Sequence, residues 1–244
     1  MPAPLPIPEA LPAADRVGAA TLERMARADA YNRWMYDRLA PWIGRRVIEI
    51  GSGIGNMSQF LVGCERLVLT DTEAAYRAYL ERRFANSPGV SVAPLTLPAT
   101  PAPLLGERFD TAVCLNVLEH ISDDRASLKA MRRLLQPGGR LVLLVPALPG
   151  IYGTLDRKLG HERRYTPRLL RERYAEAGFR LRRLEYFNLV GIAGWWLAGR
   201  VLKRELIPTG SLAVFDALVP LFRLERFLPW RVGQSLIAIG ENPA

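Results

Sequence analysis

The sequence predicts an α/β fold, a doubly wound and mostly parallel sheet with helices on both faces. Short apolar runs of strand length alternate with helical stretches through the middle of the chain. The first run, Val47 to Ile50, contains an acid, Glu49, and ends in glycines at 51, 53 and 55, while the second ends in another acid, Asp71. A chain of 244 residues fits one large domain, and 49% hydrophobic residues suffice to fill its core.

The prolines at 2, 4, 6, 8 and 12 exclude a helix at the start, so residues 1–20 are expected as a flexible, proline-rich tail. No charged start is followed by an apolar core, so no leader segment is expected. Thr21 to Leu39 has a helical pattern with Leu22, Met25, Tyr36 and Leu39 as core candidates; Tyr31 within it either packs on the sheet or covers the polar end of a ligand. Val47 to Ile50 is too short for a helix and is expected as a buried strand. Glycines just beyond it permit positive φ and close approach of backbone to a ligand, and a helix is expected from Asn56 to Val62 with its free N–H groups facing that ligand. Arg66 to Thr70 is the second strand, and Asp71, twenty residues after Gly51, is placed to accept hydrogen bonds from ribose hydroxyls. A helix over Glu73 to Phe84, a strand over Val90 to Ala93 and a proline-rich loop over 94–106 follow. Phe109 to Leu115 is the fourth strand, Asp123 to Leu135 a helix stopped by Pro137-Gly138-Gly139, and Arg140 to Val145 the fifth strand. Ligands of such sheets bind at the carboxyl ends of the strands, where Gly51, Asp71 and Asn116 fall together.

These residues carry a resemblance. Glu49-x-Gly51-x-Gly53-x-Gly55, Asp71, Phe109-Asp110, Asn116-Val117-Leu118-Glu119-His120 and Leu135-x-Pro137-Gly138-Gly139 resemble the class I S-adenosylmethionine-dependent methyltransferases, especially their quinone-methyltransferase-like branch. The resemblance covers about Tyr31 to Gly178 and implies a Rossmann-like sheet of seven strands, the last antiparallel. It implies that Glu49, Gly51, Gly53, Asp71, Asn116 and Glu119, with Tyr31, Ser52, Gly55, Thr72, Leu95 and Val117 beside them, bind S-adenosylmethionine, and it places His120 at the methyl. Many members have an acid after strand three to bind the adenine amine. Ala93-Pro94-Leu95-Thr96 has none, leaving Leu95 for apolar or backbone contact. A nicotinamide dehydrogenase would need G-x-G-x-x-G/A, and here the third glycine comes one residue early.

The net charge of +9 favours anionic partners. Between Ile151 and Arg183 ten Arg or Lys face four Asp or Glu, a surplus of six. Within that stretch His161 is a candidate general base, or else a structural histidine packed on Tyr165. Arg163, Arg164 and Tyr165 are candidate substrate contacts, as either phosphate or carboxylate binders or a salt-bridged face. Thr166 to Ala177 reads as a helix and Phe179 to Phe187 as the sixth strand. The best seventh strand is Ser235 to Ile239, so residues 188–233 form an insertion between the main domain, 21–187, and the terminal segment, 234–244. Trp195-Trp196 and many leucines, flanked by Arg200, Lys203, Arg204, Arg223 and Arg226, suit a cap over a greasy substrate with Trp195 touching it, an interfacial helix pair, or a dimer surface. No apolar run reaches the roughly 20 residues a bilayer span needs.

The expected activity is methyl transfer to an oxygen or nitrogen of a small or lipid-linked acceptor. No metal is expected, the location is cytoplasmic, and peripheral contact with the inner membrane face is open. An RNA methyltransferase and a non-catalytic cofactor-binding scaffold are the alternatives. Against RNA stand the lack of an appended RNA-binding module and of an Asn/Asp-Pro-Pro-aromatic motif. Cys64 and Cys114 are expected as free buried thiols.

Overall fold

A computed structural model describes residues 16–206, 209–227 and 232–243. Its seven strands are β1 (Arg46–Ile50), β2 (Arg66–Asp71), β3 (Val90–Pro94), β4 (Phe109–Leu115), β5 (Leu135–Pro146), β6 (Arg180–Phe187) and β7 (Ser235–Glu241). They form one sheet in the order β3-β2-β1-β4-β5-β7-β6, parallel except that β7 runs antiparallel between β5 and β6. The strand order reverses between β1 and β4, and the crevice for a ligand opens at their carboxyl ends.

Alternate residues of the strands point to opposite faces, and each face has its own core. Ile48, Ile50, Ala112, Cys114, Leu141 and Leu143 pack under α6 (Asp124–Leu134) and α8 (Pro167–Glu176). Val47, Leu67, Leu69, Val113, Val142 and Leu144 pack under α2 (Asp29–Leu39) and the end of α4 (Ala74–Arg83). The Asp123 carboxylate caps α6 by accepting from the Ala126 amide, and the Thr166 hydroxyl caps α8 in the same way through Leu169. At the amino end of β1, Asp110 accepts from the Arg45 and Arg46 amides, which accounts for the Phe109-Asp110 pair.

Several boundaries differ from expectation. The Thr21–Leu39 stretch forms two helices, α1 (Arg16–Met25) and α2, with Trp34 and Met35 rather than Leu22 and Met25 fully buried. Because α1 starts at Arg16, the last residues assigned to the tail are helical; residues 1–15 lie outside the described residues. The helix after the glycines shrinks to α3 (Ser58–Leu61), a single turn. The 94–106 loop contains α5 (Ala102–Gly106), and α7 (Thr154–Lys158) sits in the loop after β5. Pro137-Gly138-Gly139 belongs to the start of β5, since the chain leaves α6 directly into that strand. Cys64 and Cys114 are free, and Cys64 is only half-buried.

Between β6 and β7 lie α9 (Gly191–Trp196), continued by a wider π-turn over Leu197–Val201, and α10 (Thr209–Phe222). Val219 of α10 is fully buried against the α2 core, with Phe215 and Phe222 beside it. The opposite side of α10 is exposed and apolar, with Val214, Leu218 and Leu221 at helical spacing. Among the described residues no helix is long and apolar enough to cross a membrane.

The Asp216 carboxylate of α10 accepts hydrogen bonds from the Tyr31 amide (2.7 Å) and the Ala30 amide (3.2 Å). These are first-turn donors of α2 that have no partner in their own helix. Asp216 is thus a cap supplied from a distant segment. Asp216→Ala is expected to lower unfolding free energy by about 1 kcal/mol, read from urea denaturation, and to leave the far-ultraviolet spectrum unchanged.

Candidate active site

A cavity of about 970 Å³ runs along the carboxyl edge of the sheet, from α1 past the glycine turn to Trp195 and Phe215. Its first half is built by the strand ends. Gly51, Gly53 and Gly55 all have positive φ, and a Cβ on Gly51 would lie 2.4 Å from Val117 Cγ2. Only glycine lets β1 turn away beneath the loop after β4. The turn's amides are largely used internally: Ser52 N donates to Thr70 O, Gly53 N to Asp71 Oδ2 and Gly55 N to Ser52 O. These three amides are therefore spent on holding the turn itself, which contributes shape to the cavity.

Asp71 is 8% exposed and lines the cavity. Its two oxygens accept from the Gly53 amide (2.9 Å) and the Glu73 amide (3.0 Å), which holds the carboxylate rigidly at the mouth of the turn. Glu49 lies deeper. Its carboxylate accepts from the Ser58 hydroxyl, and burial pushes its pKa up to about 7, against the pull of the Ser58 and Ser52 hydroxyls. Asn56, met in the sequence only as a helix start, donates to Leu22 O, while its buried Oδ1 faces the cavity wall without a hydrogen-bond partner. An orphaned acceptor beside a rigid carboxylate suits a ligand that carries both hydroxyl and ammonium donors.

Ser52, Thr72, Leu95, Asn116 and Val117 line the same half. Asn116 has φ +53°, a conformation that Asn tolerates better than most residues, and its amide donates to Leu144 O. Tyr31 lines the cavity while packing on Phe187 and Phe215, both with centroids 5.9 Å away. Burial raises its phenol to about 12. Gly55 lies behind the turn instead: a Cβ there would meet Phe84 at 2.8 Å, so this glycine is required for packing on α4.

The second half is organised by Asp156, a residue met in the sequence only as one charge in a basic loop. Its Oδ1 accepts from Arg164 Nε (2.7 Å) and pairs with His161 Nδ1 (3.0 Å). Its Oδ2 accepts from Trp195 Nε1 (3.0 Å) and the Gly153 amide (2.9 Å). Burial alone would raise this carboxyl, but the His161 bond and the Arg164 charge outweigh it and hold the pKa near 2. Arg164 is therefore a buried ion-pair partner that also donates to Ala147 O, with its guanidinium 5.0 Å from the Trp195 ring centre. Arg163 is spent on the carbonyls of Ile121 (2.5 Å) and Ser122 (2.8 Å), and Tyr165 is fully buried with its hydroxyl on Asp124. Neither Arg163 nor Tyr165 lines the cavity, which corrects their placement as substrate contacts. His161 packs edge to face on His120 rather than on Tyr165, at 4.7 Å between ring centres. Burial and the neighbouring His161 lower His120 to about 4, so its ring is neutral at pH 7. Glu119 is fully buried, and desolvation raises it to about 8 despite the pull of Arg164.

Comparison with known proteins agrees with this architecture. Residues 48–141 match a family model described as a methyltransferase domain. The ubiquinone biosynthesis O-methyltransferase of Cereibacter sphaeroides is 32% identical over 102 residues, 42% of this chain and 41% of that protein. A tRNA U34 carboxymethyltransferase of Hydrogenovibrio crunogenus is 28% identical over 137 residues, 51% of this chain and 40% of that protein. The chain thus spans about two fifths of the length of these curated relatives. In three dimensions it is similar to a putative methyltransferase of Haloferax volcanii solved with its Trm112 activator, with a TM-score of 0.64, 16% identity, and coverage of 96% of this chain and 98% of that one.

The Glu49 pKa sets a pH dependence. A folded pKa near 7 against an ordinary 4.5 means that the folded protein binds this proton more tightly than the unfolded chain. The stability contributed is complete below about pH 4.5 and is lost as pH rises through 7, on the order of 3 kcal/mol in all. Glu49→Gln should therefore gain stability relative to wild type between pH 4.5 and 8 in the ligand-free protein. Urea midpoints across that range measure it, and a parallel pair of curves would refute the assignment.

Proposed function

The chain belongs to the class I S-adenosylmethionine-dependent methyltransferases, and on that premise we propose that it transfers a methyl group to an oxygen or nitrogen of a small amphiphilic acceptor, one that carries a polar head and an apolar tail. The single observation that carries this reading is the continuity of the cavity. One end has the rigid Asp71 carboxylate and glycine turn, and the other ends among Trp195, Leu212 and Phe215 of the segment between β6 and β7.

S-adenosylmethionine, when bound, supplies a methyl group already activated by a sulfonium. Asp71 would hold the ribose hydroxyls, and Gly51 and Gly53 would pass beneath the methionine portion and ribose. Asn56 Oδ1 would accept from the ammonium, and Leu95 would flank the adenine. Direct displacement asks little more of the protein than alignment in a water-poor site. Tyr31, Phe215 and Trp195 exclude water, and the His120 and His161 rings stand together beside the place where the acceptor would lie.

Calorimetric titration with S-adenosylhomocysteine tests the donor half. Wild type is expected to bind, Asp71→Ala to bind at least about tenfold more weakly, matching the loss of one charged hydrogen-bonding partner, and NADH not to bind. Equal binding by the Asp71→Ala variant would refute the placement of the ribose.

The acceptor half rests on the outer surface of the same segment. Trp196, Leu197, Val201 and Leu202 are exposed together with Val214, Leu218 and Leu221, and Arg200, Lys203 and Arg204 are exposed among them. Apolar side chains ringed by cations suit the face of an anionic lipid layer. The full-length chain is expected to float with phosphatidylglycerol-containing vesicles, and Leu218→Asp/Leu221→Asp to remain at the bottom of the gradient.

The net charge of +9 and the tRNA-modifying relative favour a second reading, an RNA acceptor. Tight, steeply salt-dependent RNA binding in a gel-shift series, combined with no vesicle flotation, would select it.

A further inference from the structure

Where the two halves of the cavity meet, the structure gathers three metal-ligating side chains. Glu119 and His120 are consecutive in the short 3-10 turn Leu118–His120 after β4, and His161 comes from the segment between α7 and α8. Each offers a ligand atom, and these atoms lie within 4.8 Å of one another. All three residues line the cavity.

Glu119 is the residue whose state the fold leaves unexplained. It is completely buried, yet neither carboxylate oxygen is hydrogen-bonded by another residue. Buried polar groups are normally satisfied, and a carboxylate is among the costliest to leave bare. Arg164 approaches but does not satisfy it. Its Nε and Nη1 are committed to Asp156 and Ala147 O, and its Nη2 is itself without a partner. The carboxylate lone pairs are thus held beside two imidazoles, a donor set of two histidines and one carboxylate.

His161 is also prepared behind the cluster. Its Nδ1 lies 3.0 Å from Asp156 Oδ1. That partner favours the proton on Nδ1 and leaves the Nε2 lone pair for another ligand, the carboxylate–histidine arrangement that orients metal-binding imidazoles. Asp156 is in turn immobilised by Arg164, Trp195 and Gly153.

We propose that Glu119, His120 and His161 form a binding site for a divalent transition-metal ion, with Asp156 as the positioning residue behind His161. Two imidazoles and a single carboxylate suit zinc, manganese or ferrous iron better than magnesium or calcium, which prefer all-oxygen sites. Bonds of about 2.0–2.2 Å bring ligand atoms to within about 3.5 Å of each other, so the 4.8 Å cluster closes on the ion by small side-chain rotations. The charges that face the site are Glu119, once ionised, and, behind His161, the Asp156–Arg164 pair; the pair is internally neutral, so the net charge offered to a cation is that of the Glu119 carboxylate, whose proton the incoming ion displaces. Coordination positions not filled by protein open onto the cavity, where they would take a hydroxyl or two adjacent hydroxyls of the acceptor. That use of the ion rests on the methyl-transfer reading above; the binding of the ion does not.

The test uses the full-length protein, stripped with a chelator and titrated with Co²⁺ while its visible d–d absorption is followed. One ion per chain is expected, displaced by Zn²⁺, with binding roughly 100-fold weaker in Glu119→Gln and in His120→Ala. Thermal melts verify that each variant is folded, and if Glu119→Gln is not, His120→Ala decides, because its ring lies on the cavity surface. No stoichiometric Co²⁺ binding by wild type, or binding unchanged in the folded variants, overturns the site. Titration of the wild type with S-adenosylhomocysteine keeps the two readings apart. Nucleotide binding without Co²⁺ binding defeats the metal site alone, and the reverse result upholds it while defeating the donor site.

Discussion

The far half of the cavity, beyond the strand ends, depends on one buried carboxylate. Asp156 takes hydrogen bonds from four sources: the Gly153 amide beginning its own helix, His161 and Arg164 just beyond that helix, and Trp195, 39 residues away in the segment between β6 and β7. A fully buried acid is tolerable only when its oxygens are saturated and its charge is paired, and here both conditions are met. The same bonds fix the loop after β5, bring Trp195 over the cavity and set the tautomer of His161. Removing this acid would unseat the histidine, the tryptophan and the arginine together, so the shape of this half of the cavity and the chemistry of its imidazoles are a single structural property.

The half at the strand ends is built differently. There the sheet does the work: parallel strands β1, β2 and β4 deliver Glu49, Asp71 and Asn116 to one edge, and three positive-φ glycines clear the space between them. Asp71 ties the turn to the start of α4 through two amides, so the carboxylate is preorganised before any ligand arrives. The two halves also differ in polarity. Asp71 is 8% exposed and partnered by amides, whereas Glu119 is fully buried and left bare by its neighbours. This contrast separates an acid suited to hydroxyl donors from one suited to a cation.

The segment between β6 and β7 joins the halves. Asp216 caps α2, Val219 seals the core beneath it, and Trp195 closes the far end of the cavity. Its inward face therefore has structural partners, while its outward face exposes apolar side chains that the rest of the molecule does not cover.

Much of the fold was legible in the residue order. Strand-length apolar runs, the glycine spacing and Asp71 suffice to place β1 to β5 and the site edge, because period and turn chemistry are local properties. The late antiparallel strand was legible too, since Ser235 to Ile239 has no helical alternative. The sequence by itself determined the sheet, its ligand edge and the place of Glu49, Gly51, Asp71 and Asn116 along that edge. Tertiary structure alone decided the far half of the cavity. It moved Arg163 and Tyr165 away from the cavity, buried Arg164, placed Gly55 behind the turn, shortened α3 to one turn and made Asp156 a hub. The physical reason is that these roles depend on which distant groups satisfy a buried charge. Residues 119 and 161, more than forty positions apart, carry no shared periodicity that would announce their meeting.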